Sequence, residues 1–490
     1  MLFNTFSFVL IFLPLALLGY FVLSKYSLRL SVVFLFLASL VFYAYWDIAY
    51  LPLLLGSIAT NYLVGIWISR EKAAHQARRA KLALILGLVF NLGLLSVFKY
   101  LDFFVVNLAW LTGADLKPPG ILLPIGISFF TFTQIAYLVD CHAAKVSEYK
   151  PENYGLFVTY FPHLIAGPIL HHKDMMPQFD RVASHVFLTG RLVVGMTFFT
   201  IGLFKKVVLA DGVAPFVAPV FDLGHAQLTS LEAWCGALAY TFQLYFDFSA
   251  YSDMAYGLSY MFGVILPINF NSPYKARSII DFWRRWHITL SIFLRDYLYF
   301  TLGGNRHGEL RRYANLLITM LLGGLWHGAS WTFVIWGALH GVYLVINHGI
   351  RHFLGERQHM FLNLSGWLLT FVAVVVGWVF FRATSLPIAI DVLSAMVGGT
   401  YLGDSGEGFL GGNRIMALDE CMIWLLASAA IVFFAPNAYD MLGRGIRHVE
   451  EGRLSGMRGG LALGALLTLM FLLLAISETR GISEFLYFNF

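Results

Sequence analysis

The sequence predicts an all-α polytopic membrane protein, and three observations carry that prediction. Hydrophobic residues make up 59% of the 490 residues and charged residues only 12%, against about a quarter charged in globular domains. Mean hydropathy is +0.72. The missing charges are absent in blocks of about 20 residues, the length a helix needs to cross a bilayer. Length alone would suggest several soluble domains, but composition overrides it. The three cysteines, Cys141, Cys235 and Cys421, are odd in number and far apart. They offer no disulfide framework or CxxC metal pattern and read as small apolar packing residues.

Residues 1–24 carry no charge, and the first basic residues, Lys25 and Arg29, follow the apolar run. A cleaved signal peptide has its positive charge in front, so the first helix is expected to be retained. Spanning runs follow at roughly 4–23, 30–46, 48–68, 81–98, 119–139, 192–210 and 230–262. Further runs lie at roughly 313–326, 331–348, 362–382, 418–436 and 460–477. The segments 154–171 and 101–112 fit either a re-entrant or an interfacial placement, giving about 11–13 membrane helices.

Orientation follows from the Lys/Arg bias of short loops. Lys25 and Arg29 follow the first helix, and Arg70, Lys72, Arg78, Arg79 and Lys81 follow the third; the loop between the second and third offers only Asp47. This places the N-terminus outside. Arg444, Arg447, Arg453 and Arg458 precede the last run, so the C-terminus is expected outside too, with an even number of crossings. No internal repeat or polar linker divides the chain, and a single membrane domain over 1–490 is the simplest reading.

The compositional outlier is Ser278–Ser330, dense in Arg, Trp and His. Over 271–312, Lys275, Arg277, Arg284, Arg285, Arg295, Arg306, Arg311 and Arg312 face only Asp281, Asp296 and Glu309, a net +5 that equals the whole chain's excess. This stretch should face the cytosol. Residues 281–298 read as one amphipathic helix lying at the interface, opened by a Ser278/Asp281 capping box and braced by an Asp281–Arg285 pair. On that helix Trp283, His287, Leu290, Leu294 and Tyr297 would share a face. A histidine on an apolar face is usually a satisfied core residue. Packing among two tryptophans and two arginines argues for a perturbed and functional environment.

A second histidine, His327, interrupts a hydrophobic hairpin in Gly323-Gly-Leu-Trp-His-Gly-Ala-Ser. Fifteen residues of helix from Arg312 place it about 22 Å along the axis, deep in a hydrocarbon core about 30 Å thick. An intramembrane imidazole is a functional hypothesis and a usable general base; the bland alternative is a hydrogen bond between packed helices. His340 and His348 further along read as packing residues. His163, His171 and His172, with Asp174, fit no common zinc spacing, and no metal is expected. Gln243, Tyr245, Asp247, Ser249, Tyr251, Ser252 and Asp253 form a polar band in an apolar run. Asp247 and Asp253 either line a substrate channel or neutralise an arginine of 271–312.

These residues resemble the membrane-bound O-acyltransferase family, and most closely its bacterial alginate O-acetyltransferase branch. The runs that carry the likeness are Leu123-Pro-Ile-Gly-Ile-Ser-Phe, Phe161-Pro-His-Leu-Ile-Ala-Gly-Pro, Gln243-Leu-Tyr-Phe-Asp-Phe-Ser and Tyr251-Ser-Asp-Met-Ala. They continue in Asp281-Phe-Trp-Arg-Arg-Trp-His-Ile-Thr-Leu-Ser, Leu294-Arg-Asp-Tyr-Leu-Tyr, Leu302-Gly-Gly-Asn-Arg and Leu321-Leu-Gly-Gly-Leu-Trp-His-Gly-Ala. The likeness covers essentially 1–390, with the catalytic core at about 119–350, and is weakest over 391–490. Ala250 stands where the branch tends to have glycine. The resemblance implies a ring of helices around a central tunnel, with amphipathic and re-entrant helices, and puts the family's two histidine positions at His287 and His327.

By the same resemblance, Trp283, Arg284, Arg285, Trp286, Asp296, Asn305, Arg306, Trp326, Gln243 and Asp247 are expected to bind substrate. The implied reaction takes acetyl from cytosolic acetyl-CoA, with no bound cofactor. His327 would act as general base on the acceptor hydroxyl or stabilise the transfer through a hydrogen bond, and His287 would orient that hydroxyl or polarise the thioester carbonyl. The acetyl group would reach a periplasmic or membrane-anchored SGNH-like partner at the bacterial inner membrane and then an exopolysaccharide of alginate or cellulose type. A D-alanyl or lipid acyltransferase shares the fold, and a transporter or flippase subunit would show inverted repeats.

Overall fold

In a bilayer no water bonds the backbone, so a spanning chain must close its N–H and C=O groups within itself. The computed structural model describes residues 1–222, 228–354, 360–398, 416–450 and 457–486. Among the described residues the regular structure is helical, without a β-strand. Among the described residues seven helices are long and apolar enough to cross a membrane: Ser7–Ser24, Ile48–Ala73, Ala77–Thr112, Thr189–Phe221, Trp331–His352, Leu364–Arg382 and Gly460–Arg480. The bent pair Leu418–Phe434 and Ala438–Arg447 makes an eighth if counted as one broken span. Other runs expected to cross are shorter or more polar, which is why fewer than 11–13 pass. Leu28–Ala44 has 17 residues and Ile127–His142 has 16; Ser230–Met261 carries Glu232, Asp247 and Asp253.

The outward faces are apolar. Leu10, Ile11, Leu15 and Leu18 are exposed on the first helix, as are Leu82, Ile85, Leu86, Val89 and Leu92 on Ala77–Thr112. Water tolerates no such continuous apolar surface; lipid does. The chain is a multi-pass membrane protein.

The residues fall into two compact units, Met1–Leu203 with Tyr251–Ile268 and Ala438–Asn489, and Phe204–Ala250 with Asn269–Asn437. In the first unit the 101–112 segment continues the preceding helix through a π-helical turn at Ser96–Tyr100. The 154–171 segment begins as the helix Pro151–Thr159 and continues as buried irregular chain, held where Ser39 Oγ accepts the Phe161 N–H at 3.2 Å. Asn61 and Asn91 exchange amide hydrogen bonds at 3.2 and 2.6 Å, which satisfies two buried polar side chains in an apolar helix pair. Of the C-terminal arginine cluster, Arg453 lies outside the described residues.

The second unit is built on the hairpin of Glu309–His327 and Trp331–Leu354. Glycine makes it: a Cβ at Gly324 would collide with the Phe333 carbonyl, and one at Gly337 with the Met320 carbonyl. Backbones approach this closely only where small residues face each other. Gly328, in extended backbone, ends the first arm directly after His327. Gly324→Ala or Gly337→Ala should therefore destabilise the protein by about 1–3 kcal/mol, lowering its melting temperature in detergent. Gly349→Ala, where nothing lies within 4 Å of the added Cβ, should not lower it.

Candidate active site

The local sequence rules hold up to Trp283 and then fail. Ser278 Oγ accepts the Asp281 N–H at 3.2 Å, and Asp281 accepts from the Arg277 N–H at 3.3 Å and from Arg285 Nε at 2.9 Å. This is the expected cap and pair. The helix, however, stops at Ile279–Trp283 and resumes as Ile288–Phe293, followed by a π-helical turn at Leu294–Tyr299. The expected continuous helix over 281–298, with Trp283, His287, Leu290, Leu294 and Tyr297 on one face, is not formed.

The break is His287 itself, at φ 44 and ψ 54. Left-handed backbone costs a side-chain-bearing residue about 1–2 kcal/mol, and Asn269 offsets that cost. Its backbone carbonyl accepts the Ile288 N–H at 3.0 Å. Its side-chain oxygen lies 2.9 Å from the Thr289 hydroxyl, 3.3 Å from the Thr289 N–H and 3.2 Å from His287 Nδ1. That oxygen can only accept, so Nδ1 carries the proton and Nε2 is the basic nitrogen. His287 lies outside the seven spanning helices and is fully buried; burial pushes its pKa far below the ordinary histidine value and keeps it neutral.

His327 is the last residue of its helix and is also buried. The two imidazoles share one indole: Trp326 stands 6.3 Å from the His287 ring and 4.8 Å from the His327 ring, between centroids. Phe248 meets His287 edge-on at 4.8 Å, and Trp336 and Phe381 meet His327 edge-on at 5.0 and 5.1 Å. Trp286 packs against Phe270 and Trp378, closing the cluster. The result is a pair of imidazoles in one aromatic surround, separated by forty residues of chain.

A cleft of about 420 Å³ opens in the same unit, lined by Trp283, Arg295, Asn305, Arg312, Met320, Leu344 and His348 among others. Its rim is basic. Arg312 Nη2 lies 2.7 Å from His348 Nδ1, and Arg295 is bridged by Asp296 at 2.6 Å. The Gly303–Gly304 turn carries Asn305 and is fixed by the Asn315 amide donating to the Gly304 carbonyl at 2.9 Å. His348, Leu344 and His340 follow one another at four-residue steps down the Trp331–Leu354 helix, about 6 Å each. The helix that forms this wall of the cleft runs on from the cationic rim to Trp336, which packs on His327.

The structure thus gathers His287, His327, Trp283, Trp286 and Trp326 into one cluster and puts Asn305, with the Arg295–Asp296 pair, at the cleft. Other expected residues lie elsewhere. Arg285 is tied to Asp281, Arg284 and Arg306 are exposed, and Gln243 is half-buried. Asp247 pairs with Lys206 at 2.9 Å, and Asp211 holds the same lysine at 3.0 Å. The charge that Asp247 neutralises is a lysine of a π-helical segment, not an arginine of 271–312. His163 Nε2 lies 3.1 Å from the Phe157 carbonyl and His172 3.6 Å from Glu148, so these histidines have separate partners. Sequence reading missed Asn269, whose only signal was an amide in an otherwise apolar loop.

The chain belongs to the membrane-bound O-acyltransferase family, whose model matches residues 28–389. Among characterised relatives, it is 46% identical to the peptidoglycan O-acetyltransferase of Helicobacter pylori, over 81% of this chain and 80% of that protein. It is 40% identical to a probable alginate O-acetylase of Azotobacter vinelandii over the whole of both chains. A teichoic acid D-alanyltransferase of Streptococcus thermophilus is 28% identical over 46% of this chain and 56% of that one.

Asn269→Ala removes the cap and the tautomer constraint together. It should cost about 0.5–2 kcal/mol of stability and lower acyl transfer by tenfold or more, while Thr289→Val, which removes one donor to the same oxygen, should cost less of both. Equal activity in Asn269→Ala and wild-type membranes at matched protein levels would show that the His287 geometry is irrelevant to the reaction.

Proposed function

We propose that this protein is a membrane O-acetyltransferase that takes acetyl from acetyl-CoA and passes it outward for O-acetylation of an exopolysaccharide. The observation that carries the reading is that both buried imidazoles pack on Trp326, and that Trp336 links His327 to Trp283, a wall residue of the cleft whose rim is cationic. Guanidinium groups suit the phosphates of a nucleotide-bearing donor. The high identity to O-acetyl-transferring relatives over most of the chain, set against the short match to a D-alanyltransferase, favours acetyl as the group transferred.

In the proposed step His327 accepts the proton of the acceptor hydroxyl as its oxygen attacks the thioester carbonyl. The tetrahedral intermediate then collapses, the C–S bond breaks, and the thiolate leaves with the proton from His327, giving an ester and free CoA. The protonated Nδ1 of His287 is engaged by Asn269, so Nε2 is suited to accept a hydrogen bond from the incoming hydroxyl. That supports an orienting role for His287 over polarisation of the thioester carbonyl.

The basic loops between the early helices support a cytosolic donor side and an N-terminus on the periplasmic side. The acceptor is then a periplasmic or membrane-anchored partner, with an exopolysaccharide of alginate or cellulose type as the final ester. Cells carrying His327→Ala should lose polymer acetyl esters by at least a hundredfold at normal protein abundance, the scale of removing a general base. Retained esters would remove His327 from the mechanism. Arg312→Ala should raise the KM for acetyl-CoA about tenfold with kcat little changed, measured as CoA release by the purified protein with its partner present.

A further inference from the structure

The third histidine of the cluster is the anomaly. His340 is fully buried, and neither ring nitrogen has a hydrogen-bond partner among the described residues. Its neighbours Trp283 and Trp336 are buried as well, and their indole N–H groups also lack partners. The three rings form a triangle: Trp283 to His340 5.3 Å, Trp336 to His340 4.8 Å, and Trp283 to Trp336 5.8 Å between centroids. Three other indoles of the unit find acceptors, as a polar handle in an apolar surround usually does. Trp378 donates to the Tyr274 hydroxyl at 3.1 Å, Trp367 to the Tyr274 carbonyl at 2.9 Å, and Trp234 to the Met396 carbonyl at 3.0 Å.

Leaving even one such group unbonded in an apolar interior is costly. Four polar atoms left so in one triangle mark a place shaped for something else. Gly377 packs closely on this corner, where a Cβ would lie 2.9 Å from His340 Nε2, yet it brings no side-chain partner to either ring nitrogen.

We propose that Trp283, Trp336 and His340 form a binding box for a neutral amide-bearing segment of the acyl donor, between its anionic end and its thioester. The box offers two N–H donors from the indoles and one donor and one acceptor from a neutral imidazole. The complement of that set is a secondary amide, which presents a carbonyl and an N–H together; a carboxylate or phosphate leaves the imidazole acceptor unused. Position agrees with chemistry. Trp283 forms part of the cleft wall, and His340 lies two four-residue steps, about 12 Å along the helix, below His348 at the cationic rim. Trp336 lies one step further and touches His327 at 5.0 Å. A donor with phosphates at Arg312 and an amide chain reaching inward passes the box on its way to His327, with Trp283 turning aside to admit it. This inference rests on reading the cleft as the donor entrance.

The test compares three donors, acetyl-CoA, S-acetyl-N-acetylcysteamine with one amide, and S-ethyl thioacetate with none, on wild type and His340→Phe, which keeps the ring volume and removes both nitrogens. Wild type should prefer the amide thioester over the amide-free one by about tenfold, the worth of a hydrogen bond or two. His340→Phe should lose that preference and show a KM for acetyl-CoA raised about tenfold, with kcat little changed and a melting temperature no lower than wild type. Trp283→Phe, which deletes only one donor and keeps an aromatic wall, should move KM in the same direction and guards against a folding defect. Wild-type KM and amide preference in both variants would overturn the box while leaving the donor reading intact, and a lowered melting temperature with them would assign the nitrogens to a structural water. Failure of wild type to use any acetyl thioester would overturn the donor reading and the box with it.

Discussion

The structure depends on one constraint: polar side chains placed in an apolar interior must each be given a partner or a task. Burying an amide, an imidazole or an ion without compensation costs more than a typical hydrogen bond contributes to stability. At several places the chain meets the constraint by pairing. Asn61 and Asn91 close on each other, and Lys206 is shared by Asp247 and Asp211. The Trp283–Trp336–His340 triangle differs in gathering four polar atoms without a hydrogen-bond partner among the described residues.

The same constraint explains how His287 is held. Its left-handed backbone is unfavourable alone, yet the Asn269 oxygen gathers Thr289 and the imidazole at one point, and the adjacent carbonyl accepts the Ile288 N–H. One residue therefore caps a helix, stabilises a strained dihedral and selects a tautomer. His327 is held differently, by a hairpin whose arms touch at Gly324 and Gly337. A rigid glycine contact on one side and a hydrogen-bonded break on the other bring two imidazoles to the same indole. Groups positioned by packing need little reorganisation when charge develops during reaction, which is where such sites gain most of their advantage.

Much of this was legible in the linear chain. Composition and run length gave the helical membrane class, and the motif-dense stretch Ser278–Ser330 holds both imidazoles that pack on Trp326. The glycines around His327 announced the hairpin break. The sequence also showed the Ser278 cap and the Asp281–Arg285 pair, because these are interactions of neighbours three or four residues apart. The reading went astray where it extended periodicity through His287.

Sequence by itself determined what depends on local pattern: which segments are apolar and long, where charge collects, and which family's motifs the chain carries. Tertiary structure alone decided the helix break at His287, because the residue that makes it favourable, Asn269, lies eighteen positions earlier. It likewise decided that Asp247 answers Lys206 rather than an arginine of 271–312, and that His340, Trp283 and Trp336 converge with their polar atoms unbonded. Hydrogen-bond satisfaction is a property of three-dimensional neighbourhoods, and no periodicity in one dimension records which neighbours a buried side chain will meet.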